Sequence, residues 1–377
     1  MKVPFSYGRI AENNNFTDRE DETLLLTQRF NSLINTTIVS PRRWGKTSLV
    51  NKVSKLIMEK NKNLLVCHVD IFNCRTEEQF YAAYANAVLK ISTNAWEEFV
   101  AGAKKYLGRL VPTVSFSDAS QTYELSFGIT FKDNQLSYDE ILDLPQKIAD
   151  DIKKKIVVCI DEFQNINEYG DSLAFQRKLR SHWQKHASVC YCLYGSKRHM
   201  LLNIFNNYEM PFYKFGEILF LQRIKKENWI VFIQKRFADT GKHISEELCG
   251  RIADLMKNHP YYTQQLSQQV WLRTPKKCTE EILDEAFSSL IQQLSLLFAN
   301  IINTLTPKQI NFLIAIGDGV VNFSSMEVLE KYKLGTSANV KNLRKATLEK
   351  DLIDIFPGNK IEIQDPAFEY WLMNIYR

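Results

Sequence analysis

The segment Ser40-Pro41-Arg42-Arg43-Trp44-Gly45-Lys46-Thr47 closes on a glycine, a lysine and a hydroxyl residue in succession. The spacing is that of G-x-x-x-x-G-K-[ST], except that Ser40 stands where the first glycine belongs. These residue types suit one task, the cradling of a chain of phosphates. Successive backbone N–H groups turned inward bind phosphate oxygens, and a following helix adds the positive end of its dipole. Gly45 permits close approach of the backbone, Lys46 places a point charge on the β- and γ-phosphates, and the Thr47 hydroxyl is a ligand for Mg²⁺. The candidate nucleotide contacts are therefore Arg42, Arg43, Trp44, Gly45, Lys46, Thr47 and Ser48. Serine lacks glycine's freedom at positive φ, so Ser40 must sit in an ordinary backbone region.

Such a loop needs a partner that holds the metal and activates water. Ile156-Val157-Val158-Cys159-Ile160-Asp161-Glu162 reads as a buried strand ending in two carboxylates. Asp161 would hold the Mg²⁺ shell through water, and Glu162, facing the opposite way along the strand, would polarise a water for in-line attack on the γ-phosphate. Alone, such a run fits a strand end and a solvated turn equally well; the phosphate loop gives it a function. Gln164 reads as a plain surface glutamine or as a residue that orients water. A further strand ends in Leu193-Tyr194-Gly195-Ser196-Lys197-Arg198, where Ser196 with Lys197 or Arg198 is placed to sense the γ-phosphate or simply forms a basic loop.

These groups need a scaffold. Residues 36–39 (TTIV) form a short apolar run before the phosphate loop, and Ser48 to Lys60 follow as a helix with Leu49, Val53, Leu56 and Ile57 on one face. Further apolar runs at 64–71, 156–160 and 189–194 alternate with helical stretches, the pattern of a parallel sheet covered on both faces. The fold class is α/β: a parallel-sheet phosphate-binding domain over residues 1–222, a helical lid over 223–295 and a C-terminal winged helix over 296–377. Strict alternation from Tyr123 to Phe131, preceded by Val114-Ser115-Phe116, places an inserted β-hairpin at about 112–133. In the lid, Trp229, Phe232, Ile233 and Phe237 share one helix face, and Leu248, Ile252 and Leu255 another. Beyond Thr306-Pro307, three helical patterns precede two short strands, 353–356 and 360–364, around Pro357-Gly358-Asn359.

Composition narrows the class. The chain has 377 residues, 45% hydrophobic and 24% charged, as expected of a folded soluble protein of more than one domain. No apolar run reaches the ~20 residues of a membrane span, and the N-terminus lacks the apolar core of a secretory signal, so a cytoplasmic location is expected. Seven cysteines without a C-x-x-C pair read as buried free thiols. His182 and His186 have metal-like i, i+4 spacing, yet read as surface histidines of a helix. A net charge of +5 permits contact with nucleic acid without requiring it.

The motifs, in this order, resemble those of the archaeal-type ATPases of the STAND class within the AAA+ superfamily, here as a bacterial member. The likeness runs through Phe16-Thr17-Asp18-Arg19, Pro41-Arg42-Arg43, Asp161-Glu162-Phe163-Gln164, Gly195-Ser196, Pro211-Phe212-Tyr213, Asn258-His259-Pro260-Tyr261-Tyr262 and Asp365-Pro366-Ala367-Phe368. The resemblance implies that Arg19 borders the adenine and that the turn at Pro260 brings the lid onto the nucleotide. Asp18 and Asn258 occupy positions where the family has glycine. It also implies Mg²⁺-dependent hydrolysis of ATP driving a switch, with ATP and ADP as ligands. An unidentified protein partner and a nucleotide-dependent oligomer are expected with it. Glu162 argues against a scaffold that holds nucleotide without turnover. The alternative is a nucleotide-controlled DNA-binding protein, in which Lys341, Arg344 and Lys345, with Lys333 and Lys360 nearby, meet phosphates through the winged helix.

Overall fold

The computed structural model describes residues 3–11, 15–92, 111–115, 126–130 and 138–377. They divide into two compact units: Glu20–Arg42 with Leu49–Leu221, and Met1–Arg19 with Arg43–Ser48 and Gln222–Arg377.

The first unit carries α1 (Glu20–Asn31), β1 (Thr36–Val39), most of α2 (Lys46–Lys60), β2 (Leu64–Asp70) and α3 (Glu77–Leu89). A hairpin of β3 (Val111–Ser115) and β4 (Ser126–Thr130) follows, then α4 (Tyr138–Leu142), α5 (Leu144–Ile152), β5 (Lys155–Asp161), α6 (Ser172–Trp183), β6 (Val189–Gly195), α7 (Arg198–Asn206) and β7 (Glu217–Phe220). Five of the strands form a parallel sheet in the order β2-β5-β6-β1-β7. The runs read from sequence as buried strands are β1, β2, β5 and β6; β6 is buried at every position, as a strand covered on both faces must be. The edge strand β7 is not among the strands read from sequence, although Ile218-Leu219-Phe220 is an apolar run; only Leu219 of its four residues is buried. In the hairpin, β3 and β4 pair antiparallel from Val111 opposite Thr130 to Ser115 opposite Ser126. Phe116, residues 123–125 and Phe131 of the alternating pattern lie outside the described residues.

An aromatic core fills one side of this unit. The Trp183 indole stacks on Tyr191 at 4.2 Å and 14°, and Phe163, Phe212 and Phe215 close around it. This packing revises the reading of the two histidines. The helix α6 stops at Trp183, so His186 lies beyond it and its side chain is only 2% exposed. Its Nδ1 is 2.8 Å from the Tyr191 hydroxyl, and Asp143 Oδ1 bonds both His182 Nδ1 (2.8 Å) and His186 Nε2 (3.2 Å). Burial raises the Asp143 pKa, but the two histidine hydrogen bonds outweigh it and hold the carboxyl below its usual range.

The second unit carries α8 (Lys226–Ala238), α9 (Glu246–Leu255), α10 (Pro260–Arg273), α11 (Glu280–Asn303), α12 (Pro307–Gly317), α13 (Met326–Lys331), α14 (Ser337–Glu349), β8 (Ile353–Ile355), β9 (Ile361–Ile363) and α15 (Pro366–Trp371). Capping side chains set several helix starts: Ser245, Thr279, Ser325 and Thr336 each accept from a backbone N–H of the first turn, and Thr306 forms a capping box with Gln309. The faces of Trp229, Phe232, Ile233 and Phe237 and of Leu248 and Ile252 are buried. Helices α12 to α14 followed by the antiparallel β8–β9 pair make the winged helix. A single apolar core runs from Phe5 through Trp229, Trp271, Phe298 and Phe312 to Trp371. The helix α11 is continuous through positions 295 and 296, where the sequence pattern changes from lid to winged helix. All seven cysteines are free and buried. Among the described residues, no helix is long and apolar enough to cross a membrane.

Candidate active site

The sheet order places one group of the candidate residues. The strand β6 lies between β1, which feeds the phosphate loop, and β5, which ends in Asp161. Val39 is paired with Gly195 and Ile160 with Leu193, so the ends of three parallel strands deliver their next residues to one edge. Asp161 Oδ1 accepts the Glu162 N–H at 2.8 Å. Glu162 has left the strand: its φ of 55° and ψ of 37° are left-handed, so the alternation of side chains read from sequence ends at Asp161. The turn instead aims the glutamate at the end of β6, where Ser196 donates to Glu162 Oε2 from its hydroxyl (2.8 Å) and its N–H (3.2 Å). Lys197 pairs with Glu168 at 3.7 Å, and Arg198 is buried at the first position of α7. The structure thus brings Asp161, Glu162 and Ser196 together, and Gln164, read as a surface residue or a water-orienting one, is buried beside them.

The phosphate loop shows where its conformational demands fall. Arg43 (φ 64°) and Gly45 (φ 88°) take left-handed backbone, while Ser40 does not, which meets the condition set for a serine there. Arg42 follows the end of β1 in the first unit and is exposed. Residues 43–48 belong to the second unit, where Lys46 and Ser48 are buried and Thr47 is half-buried. Ser48 Oγ accepts the Ala11 N–H at 2.9 Å, and the buried Arg19 donates to the Trp44 carbonyl at 3.5 Å.

The start of α10 and the wing meet the loop in the same unit. The Trp44 indole lies 6.3 Å from the ring of His259, which caps α10 just before Pro260, and 6.4 Å from Phe356 in the wing. Arg43 donates to the Tyr262 hydroxyl at 3.2 Å, its guanidinium 4.5 Å from the Tyr261 ring, and Tyr262 in turn donates to Asp365. Arg223 sits 5.8 Å from the Trp44 ring and pairs with Glu362 at 2.5 Å. Sequence reasoning assigned no role to Arg223, Phe356 or Asp365, because meetings across such separations leave no local pattern. Asp18 (φ 59°) and Asn258 (φ 58°) hold the left-handed conformation that a glycine would supply, and aspartate and asparagine are the side chains that tolerate it best.

His259 makes this junction acid-sensitive. It is buried, and its Nδ1 accepts the Tyr261 N–H at 3.2 Å. Burial first, then the charges of Arg223 and Arg43, push its pKa from 6.5 down to about 3. A depressed histidine pKa means that the unfolded chain binds a proton the folded chain refuses. The contribution is complete above the unfolded value of 6.5 and is lost as pH falls toward 3. His259→Asn keeps a capping acceptor and cannot titrate. Its unfolding free energy in urea should fall by ~2 kcal/mol less than that of the wild type between about pH 7 and pH 5. Equal acid sensitivity of the two proteins would contradict the assignment.

Comparison with known proteins agrees with this architecture. The KAP family P-loop domain matches residues 44–168, and a probable winged helix domain matches residues 296–374. No curated protein matches the chain. Among solved structures it is similar to the Walker-type ATPase PABY2304 of Pyrococcus abyssi, with 16% identity and a TM-score of 0.68 over 98% of this chain and 99% of that one. It is also similar to the ORC2 protein of Aeropyrum pernix in its ADPNP-ADP complexes, with 14% identity and a TM-score of 0.55 over 98% of this chain and 96% of that one. At these identities the likeness is one of fold. The chain has the P-loop NTPase fold, a parallel five-stranded sheet with flanking helices, and carries a C-terminal winged-helix domain.

Proposed function

We propose that the chain binds ATP and hydrolyses its β–γ phosphoanhydride bond with Mg²⁺, and that the cycle drives a conformational switch of the STAND type within AAA+ proteins. The observation that carries this reading is Glu162: a carboxylate at the end of β5, turned by a left-handed residue and bound by Ser196 at the end of the strand next to β1. The Thr47 hydroxyl and the Asp161 carboxylate are hard oxygen donors of the kind Mg²⁺ takes, and the Glu162 N–H fixes one Asp161 oxygen, so these residues fit the ion. When bound, Mg²⁺ neutralises charge on the β- and γ-phosphates. Lys46 and the N–H groups of residues 42–48 hold the phosphates, Arg19 borders the base, and Pro260 sets the turn that brings the lid to the nucleotide. Glu162 accepts the proton of a water as its oxygen attacks the γ-phosphorus; the β–γ bridging bond breaks, leaving ADP and inorganic phosphate. Ser196 and Arg198 respond to the γ-phosphate. Magnesium-dependent release of phosphate from ATP by the purified chain tests the proposal, and its absence would refute hydrolysis.

A second reading, nucleotide-controlled DNA binding, rests on the winged helix. Lys341 and Lys345 are exposed on α14, Lys333 is exposed ahead of it, and Arg344 bonds the wing residue Asn359 at 3.3 Å. Asp354, whose charge would oppose DNA, is buried. Every DNA phosphate that a cation ceases to neutralise lowers the salt slope of binding by roughly one unit. Reversing Lys341, Arg344 and Lys345 to glutamate should weaken duplex binding in a gel-shift assay by on the order of 100-fold at low salt. Binding unaffected by the reversal would remove the winged helix as the DNA reader.

A further inference from the structure

Gln164 is 1% exposed, and its side chain is placed for something other than packing. Nε2 donates to Glu162 Oε2 at 2.5 Å and lies 3.4 Å from Asn165 Oδ1, whereas Oε1 is buried without a hydrogen-bond partner among the described residues. Turning the amide over would set two oxygens against each other at Glu162, so the orphaned end is tied to keeping the donor on the carboxylate. A buried acceptor left unmade costs stability, which argues for a role in the site. Asn165 anchors the pair, its Nδ2 donating to the Ile71 and Phe72 carbonyls at 3.3 Å each.

The glycine at the end of β6 makes room for this amide. A Cβ at Gly195 would lie 1.8 Å from Gln164 Oε1, 2.9 Å from its Cδ and 3.2 Å from the Glu162 Cα, so the amide is what it chiefly displaces. Gly195 has ordinary backbone dihedrals, so the space and not the conformation calls for glycine. Counting Ser196, three donors from two directions meet on Glu162 Oε2, while Oε1 takes none of them.

We propose that Gln164 is the positioning residue for Glu162: with Ser196 it clamps Oε2 so that Oε1 is presented to water, and Gly195 exists to admit its amide. This rests on the reading of Glu162 as the base in ATP hydrolysis. The roles differ in kind, since the donor of Gln164 is spent on the Glu162 carboxylate and acts through it. Freed from one side, Glu162 can rotate about its side-chain bonds, and misplacement of a base by about 1 Å lowers turnover without altering how phosphates are held.

Single-turnover and steady-state phosphate release, with titration of a fluorescent ATP analogue, test this. Gln164→Leu keeps an apolar side chain of similar volume without a donor; kcat should fall on the order of 10- to 100-fold with the nucleotide Kd unchanged. Gly195→Ala should show the same split by expelling the amide. The double variant should be no slower than the slower single one, because the closest contact of the new Cβ is with the amide whose hydrogen bond Gln164→Leu already removes. The proposal is overturned if Gln164→Leu retains kcat within about twofold of the wild type, if it changes Kd in proportion to kcat, or if the two losses multiply. Should Gly195→Ala fail to fold, the split in Gln164→Leu decides alone. A wild-type chain without turnover would overturn the ATPase reading and this inference with it; an active wild type with an unaffected Gln164→Leu overturns the inference only.

Discussion

Lys46→Ala is expected to abolish phosphate release and to weaken nucleotide binding. Lys46 opens α2, is buried, and follows a glycine held at φ 88°, so its ammonium has little freedom to be replaced by a neighbouring cation. A charge-assisted hydrogen bond to phosphate contributes about 1.5–3 kcal/mol, and removing this point charge from the start of the helix should weaken ATP by roughly 10- to 100-fold or more. Because the interaction strengthens as charge develops on the bridging oxygen, kcat should fall along with affinity. Calorimetric titration with ATP and Mg²⁺, alongside a phosphate-release assay, measures both. A variant that hydrolyses ATP at the wild-type rate would sink the assignment of residues 40–47 as the phosphate site.

Glu162→Gln should behave differently. The amide keeps the size of the side chain but cannot accept a proton from water, so turnover should drop by about 10²- to 10⁴-fold while ATP binding persists. The substitution also disturbs the clamp on Oε2, since an amide nitrogen placed there would face the Ser196 N–H and hydroxyl and the Gln164 amide. An oxygen at that position and the nitrogen at the other satisfies all three, so the variant should fold as the wild type does. Full turnover in Glu162→Gln would refute the base; loss of binding would show that the carboxylate serves the nucleotide instead. The ATP-held variant is also the best bait for a protein partner, and its mass by light scattering in ATP and in ADP reports whether nucleotide drives assembly.

The contrast between these two residues shows how far local pattern reaches. Lys46 and Thr47 are legible as candidates because a phosphate cradle is built from consecutive backbone groups, so the residues proposed for one must be neighbours in sequence. Glu162 is legible because an apolar run of β-branched residues marks a buried strand whose end must expose its carboxylates. The helices from α8 to α14 are likewise announced by apolar periodicity and by caps such as Thr306 with Gln309. His186 misled because a helical spacing was extended past Trp183, where the chain turns and buries the imidazole against Tyr191.

The sequence by itself determined the parallel α/β domain, the winged-helix pattern, the glycine-lysine-threonine loop after β1 and the strand that ends in two carboxylates, since each is encoded within a few adjacent residues. Only the tertiary structure decided that β6 separates β1 from β5, which sets Ser196 beside Glu162. It alone decided that Gln164 lies in the space Gly195 leaves, and that Arg43 and Trp44 meet Tyr262 and Phe356. The physical reason is common to all three. Strand order and side-chain meetings across tens or hundreds of residues depend on how whole elements pack, and no periodicity within one element records its neighbour.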